Sequence, residues 1–435
     1  MKDSCILKSF KGTPRPQQVQ ALLEVERSWD SHDVFVLRLP VAAGKSRVLK
    51  AIADWAGGGA LLTPTNMLVQ QYKEEWPELL SVRKRDSFPN SQAWSRHVAE
   101  LKRSPLLLAN YYSYLALKAY KKVALFDEAH NLVKFLQDKE ELKVWEHPPS
   151  WVHSTADLAS WAESSGHSKL ARALAKDPEG YIVRFSAELY RGKRKPCLKV
   201  IPLTPAENAP ILWPSSVKKI VLASATLSEE DIKDLGLDNR KVRYIDSGSP
   251  IHPDRRPVLF RPAAVLSREG QQLGGVEDLA KALLALADKH PGEKGLVHVT
   301  YALGRSLRPL LDGRFLGHDQ GNKEQVFQAW QASKEGILLG AGLTEGIDLA
   351  GDKANWQVVS KVLFPNLSDP AIFAKAQARP KWYLWAAIRD LLQATGRVCR
   401  TPEDYGVTYV LDSAFKGLYN RNPELFPGWF KGALR

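Results

Sequence analysis

The stretch Val34-Phe35-Val36-Leu37-Arg38-Leu39-Pro40-Val41-Ala42-Ala43-Gly44-Lys45-Ser46 decides how the rest of the chain is read. Residues 34–39 form an apolar run of strand length, and SRVLKAIADWA (46–56) has helical spacing. Small residues turn the chain between them. A strand, a turn ending in Gly-Lys-Ser and a helix make the setting of a phosphate-binding loop. Backbone N–H groups and the helix N-terminus cradle phosphate oxygens, the Lys ammonium reaches the β and γ phosphates, and the Ser hydroxyl ligates Mg²⁺. The strict pattern G-x-x-x-x-G-K-[ST] lacks its first Gly, because Leu39 stands there. The loop therefore has to be read with its surroundings.

Moving outward, the same rhythm continues. Residues 60–63, 106–110, 123–127 and 219–224 read as further buried strands, with a helical pattern at MLVQQYKEEW. A second series follows at 257–260, 295–300, 314–318, 337–342, 358–364 and 406–412, with helical patterns at 276–290 and 323–333. Short apolar runs bounded by turns are what strands covered on both faces of a parallel sheet look like. The expected fold is α/β, with two parallel-sheet domains at 1–245 and 257–435 and a Pro-rich polar linker at 246–256. Residues 131–218 interrupt the first domain and are too long for a plain loop, so a mainly helical insertion is expected there.

Composition narrows the class. With 44% hydrophobic and 25% charged residues, the chain is neither globally disordered nor fibrous. No uncharged apolar run is long enough to span a bilayer, and the start MKDSCILKSFKG does not read as a signal peptide, so no membrane partner is expected. Cys5, Cys197 and Cys399 are isolated, which argues against a disulfide framework and for a reducing interior. The setting expected is cytoplasmic, in a bacterial or phage-infected cell, and the chain is expected to be a monomer. The net charge of +13 fits a polyanionic partner such as nucleic acid, and would equally serve solubility. The excess is spread along the chain. Its densest cluster, Arg191, Lys193, Arg194 and Lys195, is either a solvated turn or a phosphate-contact loop.

Other motifs fall at strand ends. Asp127-Glu128-Ala129-His130 closes a strand, where an Asp can hold Mg²⁺ and the next Glu can polarise an attacking water. Ser224-Ala225-Thr226 closes another. In the second half, Thr344-Glu345-Gly346-Ile347-Asp348 follows a strand and Gln393-Ala394-Thr395-Gly396-Arg397-Val398-Cys399-Arg400 follows a helix. Arg397 and Arg400, three residues apart, are expected on one helical face, where both can aim at a phosphate as arginine fingers.

Taken in order, these motifs resemble those of superfamily 2 DNA helicases, most closely the XPD/DinG-like DEAH branch. Arg15-Pro16-Gln17-Gln18 is similar to the adenine-side R-P-x-Q motif, residues 39–46 to motif I, and Thr63-Pro64-Thr65-Asn66 to motif Ia. Asn110 matches an Asn preceding motif II, Asp127–His130 is similar to motif II, and Ser224–Thr226 to motif III. Ser249-Pro250 is similar to the S-P-F segment, residues 345–348 to motif V and residues 393–400 to motif VI.

The resemblance implies two RecA-like domains with ATP·Mg²⁺ between them, hydrolysing ATP to move along single-stranded or forked DNA and unwind duplex, in the 5′→3′ sense. Lys45, Ala43, Gly44 and Ser46 would hold the triphosphate, with Ser46 and Asp127 on Mg²⁺. Glu128 would activate water, and Gln393, Arg397 and Arg400 would complete the site. Arg15 and Gln18 would read adenine, His130 would couple the halves, and Glu345, Gly346 and Asp348 would serve the nucleotide side. Thr63, Pro64, Thr65, Asn66, Asn110, Thr300 and Thr344 would contact nucleic acid.

Three departures stand out. Ala42 puts a Cβ where the resemblance expects Gly. The interval 70–106, where many relatives bind iron and sulfur through four Cys, contains none and is basic, so no iron–sulfur cluster is expected. The insertion, in the position of the arch domain, is compact. Competing readings are an RNA-dependent ATPase or RNA helicase, a DNA-binding accessory protein with weak ATPase, and, lowest, a nuclease-linked relative for which no metal-carboxylate cluster is visible.

Overall fold

The structure is a computed structural model describing residues 5–177, 179–190, 193–343, 354–399 and 401–435. The first sheet is built from β1 (Val34–Arg38), β2 (Gly59–Thr63), β3 (Leu106–Asn110), β4 (Val123–Asp127), β8 (Lys219–Ser224) and β9 (Val242–Asp246), in the order β3-β2-β4-β8-β1-β9. Every pairing in it is parallel. Along β1 the side chains alternate between two cores: Val34 and Val36 enter one, Phe35 and Leu37 the other. Both faces are thus covered by helices, which explains why β1 reads as an unbroken apolar run.

The second sheet comprises β10 (Val258–Ala264), β11 (Gly295–Val299), β12 (Phe315–Gly317), β13 (Ile337–Ala341), β14 (Trp356–Val359) and β15 (Val407–Asp412). Its order is β10-β15-β14-β11-β13-β12, again parallel throughout. The fold is two RecA-like parallel-sheet lobes. Between β4 and β8 lies the insertion, which holds β5 (Leu142–Val144), β6 (Tyr181–Tyr190) and β7 (Lys193–Pro202) as a three-stranded antiparallel sheet. The helices Thr155–Ser164 and Ser168–Lys176 pack on one face of that sheet around Trp161 and Leu198.

The strands β5, β6, β7 and β9 escape the sequence reading for one reason: they are polar or only half-covered. The edge strand β9 is largely half-exposed, and the ten-residue strands β6 and β7 are interrupted by charges, Arg184 and Glu188 in one and Lys193, Arg194, Lys195 and Lys199 in the other. Lys193, Arg194 and Lys195 sit where β7 begins, beside the tip of this hairpin, with Lys195 Nζ 5.1 Å from the Tyr190 ring centre. Arg191 lies outside the described residues. Of the insertion's tryptophans, Trp161 and Trp213 are core residues and Trp151 is half-exposed.

Candidate active site

In open parallel sheets, ligand sites form beyond the carboxyl ends of the strands. Here β4, β8 and β1 are neighbours, with Asp127 opposite Ala223 and Arg38 opposite Ser224. Three motifs distant in sequence therefore emerge side by side.

The loop after β1 carries two residues in the left-handed region, Ala42 (φ 67°) and Gly44 (φ 69°). At Gly44 only glycine fits, because a Cβ would come within 2.4 Å of Gln18 Nε2. At Ala42 the chain accepts the Cβ strain, on the order of 1 kcal/mol. The loop is held from the N-terminal helix Pro16–Ser28 and its cap: Arg15 Nη1 donates to Ala42 O at 2.7 Å and Gln18 Nε2 to Ala43 O at 3.0 Å. Gln18 Oε1 also accepts the Arg15 N–H at 2.9 Å. The buried Gln18 amide thus ties the loop to the start of its own helix, Nε2 on Ala43 and Oε1 on the Arg15 cap. Leu39, in place of the first Gly of the strict pattern, is a core residue.

Lys45 and Ser46 open the helix Lys45–Trp55. Lys45 Nζ lies 3.4 Å from Glu128 Oε1. Asp127 is buried, accepting the Tyr72 hydroxyl at 3.1 Å and the Glu128 N–H at 2.9 Å, while the Tyr111 hydroxyl donates to its carbonyl oxygen at 2.5 Å. Burial and the adjacent Glu128 charge push the Asp127 carboxyl up to about 6. Burial also pushes Glu128 up, but the charges of Lys45, His130 and Arg397 outweigh it and hold that carboxyl below its ordinary value. Glu128 stands at φ 47°, a second strained position beside the loop.

The donors suit a hard divalent cation: a buried carboxylate whose charge is costly where it stands, and a Ser hydroxyl at a helix start. Among the described residues, no group of three or more His, Cys, Asp or Glu could hold a metal ion by itself. The three cysteines are free, Cys5 exposed and Cys197 and Cys399 buried.

His130 Nδ1 lies 2.8 Å from Ser224 Oγ and 3.4 Å from Glu128 Oε2. From the second lobe, Gln393 Nε2 donates to Thr226 Oγ1 at 3.4 Å. Lys45, Glu128, His130, Thr226, Gln393 and Arg397 line one cleft cavity of about 580 Å³, within the usual range for small-molecule sites. The expectation for the two arginines needs correction. The helix Pro380–Thr395 ends before Arg397, because Gly396 terminates it, so Arg397 is presented from the turn beyond. Gly396 also meets the phosphate loop, since a Cβ there would lie 2.8 Å from Val41 Cγ2. Arg400, Thr344, Glu345, Gly346 and Asp348 lie outside the described residues.

The nucleic-acid candidates share a geometry. Thr65 and Thr300 follow a strand or its turn, Asn110 ends one, and each caps the next helix, accepting the backbone N–H of Leu68, Leu303 and Ser113 respectively. Asn110 Nδ2 donates to Asn66 Oδ1 at 2.5 Å. Pro64 and Thr65 line the cleft cavity itself. Thr63 is fully buried and its hydroxyl donates to Thr65 O, so it shapes the turn from beneath. The sequence reading missed Tyr72 and Tyr111, which hold Asp127 from below. Tyr111 directly follows Asn110 and opens the helix Tyr111–Leu117, at the end of β3, which pairs with β2.

The helicase C-terminal domain family matches residues 297–433. The regulator of telomere elongation helicase 1 homolog of Drosophila ananassae is 25% identical over 328 residues, 65% of this chain and 32% of that protein. The Caenorhabditis elegans homolog is 25% identical over 135 residues, covering 27% of this chain and 13% of the other. The chain thus spans a third or less of these relatives. An XPD helicase structure superposes with a TM-score of 0.65 at 16% identity, covering 97% of this chain and 98% of the other. Xpd4 of S. tokodaii gives 0.61 at 15%, covering 94% and 98%. The chain shares the fold of these XPD structures. Among the described residues, no helix is long and apolar enough to cross a membrane.

Proposed function

We propose that this protein is a nucleic-acid-dependent ATPase that moves along single-stranded DNA and unwinds duplex, in the 5′→3′ sense. The observation that carries the reading is the shared cavity: Lys45 and Glu128 from one lobe face Arg397 and Gln393 from the other. A triphosphate in it would replace Glu128 as the partner of Lys45, freeing the carboxylate to take a proton from water. Glu128 is suited to this because the charges around it keep it ionised. Ser46 and Asp127 would hold Mg²⁺, which when bound neutralises phosphate charge. Arg397, with Arg400, would stabilise charge on the transferring phosphoryl group. His130 and Gln393 would transmit the change through Ser224 and Thr226, and lobe opening and closing would step the protein along a strand.

The helix N-termini at Thr65, Asn110 and Thr300 would hold backbone phosphates through their N–H groups, with Asn66, Pro64 and Thr63 shaping the first of them. Arg15 and Gln18 would flank the adenine side by fixing the loop. Thr344, Glu345, Gly346 and Asp348 keep the roles their motif implies. A second reading, a DNA-binding accessory protein with weak ATPase, is favoured by the strained Ala42. ATPase rates without nucleic acid, with single-stranded DNA and with single-stranded RNA decide among these, with Lys45→Ala as the control.

A further inference from the structure

Beyond Ser224–Thr226, the short helix Glu229–Asp234 turns three carboxylates inward: Glu230, Asp231 and Asp234 are 7%, 1% and 0% exposed. Such carboxylates stay buried only when paired, and partners for all three come from the other lobe. Lys375 Nζ donates to Asp234 Oδ2 at 2.8 Å, and Arg379 Nη1 to Asp234 Oδ1 at 2.5 Å. Arg379 also donates through Nε and Nη2 to Glu230 Oε2, at 2.8 and 2.6 Å. Trp385 Nε1 donates to Asp231 Oδ2 at 3.0 Å, and Arg389 Nη1 lies 3.5 Å from Asp231 Oδ1. Ser228 fixes Asp231 from its own side in a capping box. Burial pushes the Lys375 ammonium down, a measure of the desolvation this seam has to offset.

A buried ion network adds little net stability over apolar packing, but it accepts few geometries. What it fixes follows from spacing. Trp385, Arg389 and Gln393 recur every fourth residue on one face of the helix Pro380–Thr395, and Arg397 comes next, just past its end. The seam sets the rotation and height of that helix against the first lobe, and Gln393 on Thr226 is its last contact before the cleft.

We infer that Asp234, Lys375 and Arg379, with Asp231, are positioning residues that hold Arg397 opposite Lys45 and Glu128. This rests on the ATPase reading. The test uses the full chain with single-stranded DNA, comparing the parent, Asp234→Asn, and Asp234→Asn combined with Lys375→Met, which leaves no orphaned charge and so protects the fold. Each is also made in an Arg397→Ala background. The folded variants should lose about tenfold or more in kcat, with KM for ATP within about threefold. In the Arg397→Ala background, the same substitutions should change the single-turnover rate by less than about twofold. An unchanged kcat in the double variant, or the same loss in both backgrounds, overturns the inference. A parent chain without ATPase activity overturns the proposed function and the inference with it; an active parent with unaffected variants overturns the inference alone.

Discussion

At Ala42 a methyl group sits where the backbone has turned left-handed. Removing it by Ala42→Gly relieves about 1 kcal/mol of strain in the loop. Nucleotide affinity should then stay level or rise by up to about fivefold, as expected if the bound loop is strained at least as much; weaker binding by titration calorimetry would show that the strain is confined to the nucleotide-free loop and released on binding. Tyr72 offers a second test. Its hydroxyl is one of the groups satisfying the buried Asp127 carboxylate. Tyr72→Phe should cost about 1–3 kcal/mol of stability in urea unfolding, because a buried acceptor is left short of a donor. A change below about 0.5 kcal/mol would mean solvent already reaches that carboxylate.

Two elements carry predictions of their own. Gly396 ends the helix Pro380–Thr395 and lets the second lobe approach Val41. Gly396→Ala should hold the lobes apart and reduce kcat by about tenfold, and Val41→Ala in the same chain should restore much of it. Failure of that rescue would place the effect within the helix end rather than between lobes. In the insertion, Glu140 at the end of the helix Leu132–Glu140 has its carboxyl pushed from 4.5 up to about 7, by burial first and then by the charge of Glu207. The folded state therefore holds a proton that the unfolded chain has released between those values. Its favourable contribution is complete below 4.5 and fades as pH rises through 7. Full desolvation would make such a shift worth about 3 kcal/mol; for a half-exposed side chain about 1 kcal/mol is expected. Glu140→Gln should raise the unfolding midpoint at pH 8 and leave it unchanged at pH 4; equal effects at both would rule out the carboxyl as the cause.

Across the whole molecule, the parallel strands were legible because burial on both faces leaves a continuous apolar run, as in β1 and β4. The strands β6 and β7 were not, because a hairpin with one open face keeps charges such as Arg184, Glu188 and Lys199 along it. The same divide separates the site residues. Lys45, Glu128 and Arg397 could be named because their chemistry demands those residue types at fixed places. Tyr72 and the seam from Asp234 to Arg379 could not, since a tyrosine on a helix or a salt bridge across lobes has no local signature. That the Gln18 amide joins the loop at Ala43 to the helix cap at Arg15 also follows only from the folded chain. The charge of +13 fits the proposed polyanionic partner, and steep weakening of DNA binding with salt is its expected consequence.

The most direct measurement is steady-state ATP hydrolysis by the parent chain and Glu128→Gln, each with single-stranded DNA, single-stranded RNA or neither, alongside ATP binding. The account predicts DNA-stimulated turnover in the parent, and in Glu128→Gln loss of turnover by a factor of at least about 10² with ATP binding retained. Turnover that survives in Glu128→Gln, or a parent that hydrolyses nothing under any condition, would contradict it.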